Sequence, residues 1–160
     1  MRHPAAAVAA GTCYGRLDLP LADPAAAAAL AARLAGLGGA AWSSPAQRCR
    51  AVAVALGPHR LDARLLELDF GAWEGRPWDD VPRPALDRWA ADPAGFAPPG
   101  GESGAALVAR VTAFAASLPL GDHVVVTHGG PLKVLSALLR GFPVDLLAPA
   151  PPVGSVTLIR

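Results

Sequence analysis

At 160 residues, 52% apolar and 17% charged, the chain has the make-up of one folded domain spanning 1–160, not of a disordered chain. A net charge of +1 gives no electrostatic footprint for nucleic acid or a membrane surface, so neither is expected as a partner. Cys13 and Cys49 have neither metal spacing nor a disulfide framework; with no signal-like opening and no apolar run near ~20 residues, a cytoplasmic location is expected.

Met1-Arg2-His3-Pro4 leaves no room for structure ahead of it, and residues 5–15 read as loop. Asp23 is placed to cap a helix with Pro24 in its first position, carried by alanines to the glycines at 36–39. A short strand at 40–43 closes at Ser44-Pro45. A helix over 46–56 follows, with Cys49, Val52 and Leu56 inward, and stops at Gly57-Pro58. Residues 60–66 are expected as a further strand of imperfect alternation. Residues 67–75 are an ordered loop of acids and aromatics. Prolines 82, 84 and 93 bracket a short helix through Leu86 and Trp89.

Ser103 caps the best helix of the chain, with Leu107, Val111, Phe114 and Leu118 on one face. Val124, Val125 and Val126 form a buried strand. It passes through a tight turn at 127–130 into a helix with Pro131 in its first turn and Gly141 as its stop. A last strand is expected over 155–159. Strands alternating with helices predict an α/β fold: a three-layer α/β/α sandwich on a mostly parallel central sheet.

The residues that carry chemistry stand at the ends of these elements. His128 lies where the Val124 strand meets a helix start, the edge at which open α/β sheets bind ligands and anions; an incidental histidine is the competing reading. Arg48 sits in the opening turn of its helix, where the macrodipole disfavours a cation by up to ~1 kcal/mol. That is either a tolerated surface arginine or an arginine aimed, with the helix start, at one anion. Arg2 and His3 are either a frayed terminus or a bidentate anion binder beside a nucleophile. Glu67 precedes a loop dense in bulky apolar groups, and is either a solvated acid or a general acid raised by desolvation.

Taken together, Arg2-His3, Ser43-Ser44-Pro45-Ala46-Gln47-Arg48, Leu66-Glu67 with its loop to Gly75, Pro99-Gly100-Gly101-Glu102-Ser103 and Val126-Thr127-His128-Gly129-Gly130 resemble the histidine phosphatase (phosphoglycerate-mutase-like) superfamily, in its order and over nearly the whole chain. Thr12-Cys13-Tyr14-Gly15 and the loop from Leu68 to Gly75 look like its α-ribazole phosphatase branch. The resemblance implies a phosphomonoester hydrolase of cobalamin synthesis. His3 would attack phosphorus and become a phosphohistidine, its other ring nitrogen held by a backbone carbonyl. Arg2, Arg48 and His128 would surround the phosphoryl oxygens, and Glu67 would protonate the leaving oxygen. Two guanidiniums would neutralise the charge, so neither metal nor cofactor is expected; the partner is a small phosphomonoester.

Two departures from the family pattern bear on this. The glycine usual after the nucleophile is Pro4 here, which keeps a carbonyl but loses an N–H. The family also runs a buried strand into Arg2-His3, whereas only Met1 precedes them, so the first strand is expected to be missing and His3 to be loosely held. The alternatives are therefore an N-terminally truncated, weakly active or inert phosphate-binding relative, or a broad-specificity phosphatase. A mutase is disfavoured, because the chain lacks the long insertions that would shield a bisphosphate.

Overall fold

The computed structural model describes residues 1–34 and 36–159. Its elements are α1 (Ala25–Ala32), β1 (Ala40–Ser43), α2 (Gln47–Leu56), β2 (His59–Leu61), α3 (Arg83–Ala91), α4 (Gly104–Ser117), β3 (His123–Val126) and α5 (Gly129–Leu139). The strands form one parallel sheet in the order β2-β1-β3, with Ser43 opposite Val126 on one side and Leu61 on the other at the carboxyl end. That end carries every candidate site residue of the β1 and β3 turns.

Period-two alternation divides the core into two layers. Val124 and Val126 face Leu30, Cys49 and Val52 of α1 and α2. Val125, with Trp42, faces Leu107, Val111, Phe114, Val134 and Leu135 of α4 and α5. The α/β sandwich expected from the sequence is thus present, helices on both faces of a parallel sheet. A smaller aromatic cluster, centred on Trp73 and joined by Phe70, Trp78, Trp89 and Phe96, lies beyond the second layer.

Several local expectations change. The strand over 60–66 stops at Leu61, because Asp62 accepts Arg64 N–H (2.9 Å) and caps a 3-10 turn over Ala63–Leu65. No strand forms over 155–159. Instead Ser155 O accepts Arg2 N–H (3.0 Å) and Gly154 N–H donates to His3 O (2.9 Å). In α1 the Asp23 carboxylate holds Ala25 N–H (2.9 Å), so Pro24 precedes the helix rather than opening it. His128 itself is the residue before α5, which begins at Gly129 rather than at Pro131.

The largest difference concerns the start of the chain. No named strand precedes Arg2-His3 among the described residues, yet Arg2 forms a parallel bridge with Thr127. Met1 N donates to Val125 O (2.7 Å), Thr127 N–H to Met1 O (3.0 Å) and His3 N–H to Thr127 O (3.1 Å). With Ser155 and Gly154 on the other side, the backbone of His3 is bonded along both edges. The residue is 2% exposed, which corrects the expectation of a loosely held nucleophile.

Phe114 is fully buried, edge-on to Trp42 at 5.7 Å, and joins α4 to the sheet. Phe114→Ala is expected to cost about 3–5 kcal/mol in urea unfolding. Leu120→Ala, at a fully exposed side chain, should stay within about 0.5 kcal/mol. Similar losses at the two positions would place the core elsewhere.

Candidate active site

His3 owes its chemical state to burial and to Pro4. Its Nδ1 lies 2.6 Å from Pro4 O, and a carbonyl can only accept, so Nδ1 carries the proton and Nε2 keeps its lone pair. The carbonyl that proline retains is therefore the acceptor the sequence asked for. Burial pushes the imidazole pKa down from 6.5 to about 3; the Pro4 bond opposes the shift, and the Arg48 and Arg2 charges reinforce it. At neutral pH the ring is uncharged.

Arg48 is fully buried in the first turn of α2. Nη1 donates to Leu17 O (2.9 Å) and Nη2 to Gly15 O (2.6 Å), and Nε–H lies 3.3 Å from His3 Nε2. The Tyr14 ring stands 5.4 Å below its guanidinium carbon. Glu74 sets those carbonyls: its carboxylate accepts N–H from Gly15 (2.8 Å), Arg16 (2.8 Å) and Leu17 (3.0 Å). Arg2 reaches the same region from the other side. Nη1 donates to Pro151 O (2.6 Å), and buried Nε has no hydrogen-bond partner among the described residues. A Cβ at Gly129 would lie 2.8 Å from Ala150 Cβ and 3.3 Å from Arg2 Cζ, so a side chain there would crowd both.

One N–H at each helix start is already engaged. Gln47 N–H of α2 is taken by Asp18 Oδ1 (2.7 Å), and Gly130 N–H of α5 lies 3.1 and 3.2 Å from the two oxygens of Glu67. Acidic side chains of the same molecule thus hold one N–H at each end, beside the guanidiniums of Arg2 and Arg48.

Glu67 is half-buried, and its Oε1 also accepts Leu68 N–H (2.9 Å). The expected isolation among apolar groups is therefore corrected to a carboxyl fixed on backbone N–H donors, with Leu68 and Phe70 beside it along the pocket wall. Gly130 makes room for it, because a Cβ at that position would overlap Glu67 Oε1.

His128 is completely buried behind His3, the two rings edge-on with centroids 5.0 Å apart. Its Nε2 lies 2.7 Å from Ser44 Oγ and 3.6 Å from Cys49 Sγ. Burial, then the Arg48 charge, holds the ring well below the ordinary histidine pKa, so it too is neutral.

A pocket of about 250 Å³ opens over these groups, and Arg2, His3, Arg48 and Glu67 all line it. His128 does not; the wall at that point is Gly129 and Gly130. The outer wall is aromatic, from Tyr14, Phe70, Trp78 and Trp89, with Trp78 and Trp89 stacked at 6.0 Å. Lys133 lines the pocket as well, donating to Leu146 O (2.7 Å) and Ala148 O (2.8 Å). Sequence reasoning missed Lys133, Ser44 and Arg110. Arg110 had a signal: a cation beside Val111 on the core-facing side of an apolar helix.

The chain is similar to known proteins. The family model described as histidine phosphatase superfamily (branch 1) matches residues 1–160. A glucosyl-3-phosphoglycerate phosphatase of Mycolicibacterium vanbaalenii is 35% identical over 176 aligned positions, covering 91% of this chain and 74% of that protein. A crystal structure of a Thermus thermophilus protein superposes with a TM-score of 0.75 at 33% identity, covering 96% of this chain and 86% of the other. A phosphoglycerate mutase structure from the same organism gives 0.73 at 30% identity, covering 96% and 87%.

The neutral histidines make stability depend on pH. Between about 3 and 6.5 the unfolded chain binds the His3 proton and the folded one does not. Stability therefore rises with pH across that window and falls on acidification, by at most about 1.4 kcal/mol per pH unit for each such histidine. His128 acts in the same direction. Urea unfolding between pH 7 and 5 should show this slope, and His3→Gln should flatten it. Equal slopes in the two proteins would mean that His3 is charged when folded.

Proposed function

We infer that this chain, which belongs to the histidine phosphatase superfamily and is a phosphatase, hydrolyses its ester in two steps through His3. The observation that carries this is a buried, neutral imidazole with Nδ1 fixed on Pro4 and Nε2 facing a pocket lined by two arginines and a carboxyl. In the first step His3 Nε2 bonds to phosphorus, the phosphorus–oxygen ester bond breaks, and protonated Glu67 gives its proton to the leaving oxygen. In the second, Glu67 takes a proton from water, the oxygen of that water bonds to phosphorus, and the nitrogen–phosphorus bond breaks to restore His3. Arg48 Nε–H turns from the His3 lone pair to a phosphoryl oxygen, and Arg2 offers its unpartnered Nε–H to another. His128 braces the His3 ring from behind, and its neutrality spares the site a further charge.

The leaving group is read by the outer wall. Phe70, Trp78 and Trp89 offer flat apolar faces to whatever is esterified to the phosphate, and offset aromatic contacts add about 0.5–1.5 kcal/mol beyond area burial. This favours α-ribazole 5′-phosphate, whose benzimidazole is itself flat and aromatic, as the substrate. A second reading rests on Lys133. Its ammonium has one N–H beyond the two given to Leu146 and Ala148, suited to the carboxylate of glucosyl-3-phosphoglycerate, the ester named for the Mycolicibacterium relative.

The two readings separate by experiment. With α-ribazole 5′-phosphate, kcat/KM should exceed that for glucosyl-3-phosphoglycerate in chelator-treated buffer, and Trp78→Ala should lower the former about 10-fold, the scale of one lost aromatic contact. A preference for the glycerate ester, sensitive to Lys133→Met and indifferent to Trp78→Ala, would reverse the assignment.

A further inference from the structure

Outside the groups already assigned, a further polar network surrounds the main chain of Glu67. Arg110, on α4, places Nε and Nη2 on the Glu102 carboxylate at 2.7 and 2.8 Å, a two-pronged pairing that fixes the plane of its guanidinium. The remaining donors reach backward. Nη1 meets Arg64 O (2.7 Å) and Leu66 O (2.6 Å), and Nη2 meets Glu67 O (3.0 Å). From the opposite side Arg16 Nε–H donates to the same Glu67 O (2.9 Å), while Arg16 Nη2 lies 3.6 Å from Glu102. Arg110 and Glu102 carry 15% and 14% side-chain exposure, so water competes little for this pair. Glu102 is held in turn, since its own N–H donates to Asp69 O (2.9 Å).

Two guanidiniums thus converge on one carbonyl, that of the residue read above as proton donor. A glutamate side chain has rotatable bonds enough to miss its target unless its starting point is fixed. An ångström-scale displacement of a reacting group can cost ~10²-fold in rate. The carboxyl end of Glu67 is fixed by Leu68 and Gly130 N–H groups, but nothing in those bonds fixes its α-carbon. We propose that Arg110 and Arg16, bridged by Glu102, are positioning residues that clamp the Glu67 backbone so that its carboxyl meets the leaving oxygen of the ester. Neither arginine touches the phosphoryl group in this scheme. Their charges serve main-chain carbonyls and one carboxylate, and their effect on the reaction runs through Glu67 alone.

The inference rests on Glu67 being the proton donor, and the test separates the two. Turnover of an alkyl phosphate and of a nitrophenyl phosphate is compared for the parent protein, Glu67→Gln, Arg110→Met and the double variant, with vanadate affinity measured for each. An alkoxide needs the proton and a nitrophenolate leaves nearly unaided. General-acid help is typically ~10²–10⁴-fold, so Glu67→Gln should lose much more on the alkyl ester. Arg110→Met should show the same bias, with kcat on the alkyl ester falling about 10-fold further than on the aryl ester, KM steady and vanadate affinity unchanged. Arg110→Lys should recover part of the loss. The double variant should be no slower than Glu67→Gln, because a clamp has nothing left to aim.

If Glu67→Gln shows no leaving-group bias, the proton-donor reading fails and takes the clamp with it. If Glu67→Gln shows the bias and Arg110→Met loses equally on both esters, or the losses multiply in the double variant, the clamp alone is overturned. Should Arg110→Met not fold, Arg16→Met carries the same comparison at a more exposed side chain; absence of bias there overturns the proposal.

Discussion

The bond between His3 Nδ1 and Pro4 O, made where water is excluded, is the interaction on which the rest of this site depends. A histidine in water is charged below pH 6.5 and presents either ring nitrogen above it. Here burial removes the charge and the proline carbonyl chooses the tautomer, so Nε2 keeps its lone pair, which accepts from Arg48 Nε–H (3.3 Å). Two guanidiniums close by add to the cost of protonating that ring. The same cations are what a phosphate dianion requires, so keeping the nucleophile neutral and attracting its target are one electrostatic arrangement.

That arrangement is held by carbonyls and carboxylates the site does not expose. Glu74 ties down the chain at 15–17, whose Gly15 and Leu17 carbonyls hold Arg48. Arg16, in the same stretch, reaches Glu67 O, as does Arg110 with Glu102 behind it. A buried cation is costly unless its N–H groups are used, and here Arg48, Arg110 and Arg16 each give guanidinium N–H groups to main-chain oxygens. The loops that read as irregular in sequence are therefore fixed points, each serving a charged side chain that would otherwise be mobile.

Much of this is legible in the sequence, for physical reasons that differ by element. The layers can be read because the uninterrupted valines at 124–126 point to a strand covered on both faces and the Leu107–Val111–Phe114 spacing to one buried helix face. Arg48 can be read because a cation stands in a helix's first turn, and His3 and Glu67 through the resemblance to the family; the pocket brings the three together with Arg2. The strand expected over 60–66 ends early because Asp62 stops it through a side-chain bond that hydrophobic alternation does not register. The expected looseness of His3 fails because the bonds that hold it come from Thr127 and Gly154, far along the chain. At each helix start one N–H is taken by an acid distant along the chain, Asp18 at Gln47 and Glu67 at Gly130, which no local pattern shows. Arg110 escapes notice because most of its partners are main-chain oxygens, which no residue pattern displays.

The central claim is that His3 Nε2 takes the phosphoryl group. Rapid mixing with a nitrophenyl phosphate, quenching in base and mapping of the digested chain by mass spectrometry test it most directly. The account predicts a phosphoryl group on the peptide carrying His3, stable in base and lost in acid, formed and discharged as fast as turnover. A phosphoryl group found on His128 instead, or none on any residue while hydrolysis proceeds, would contradict it.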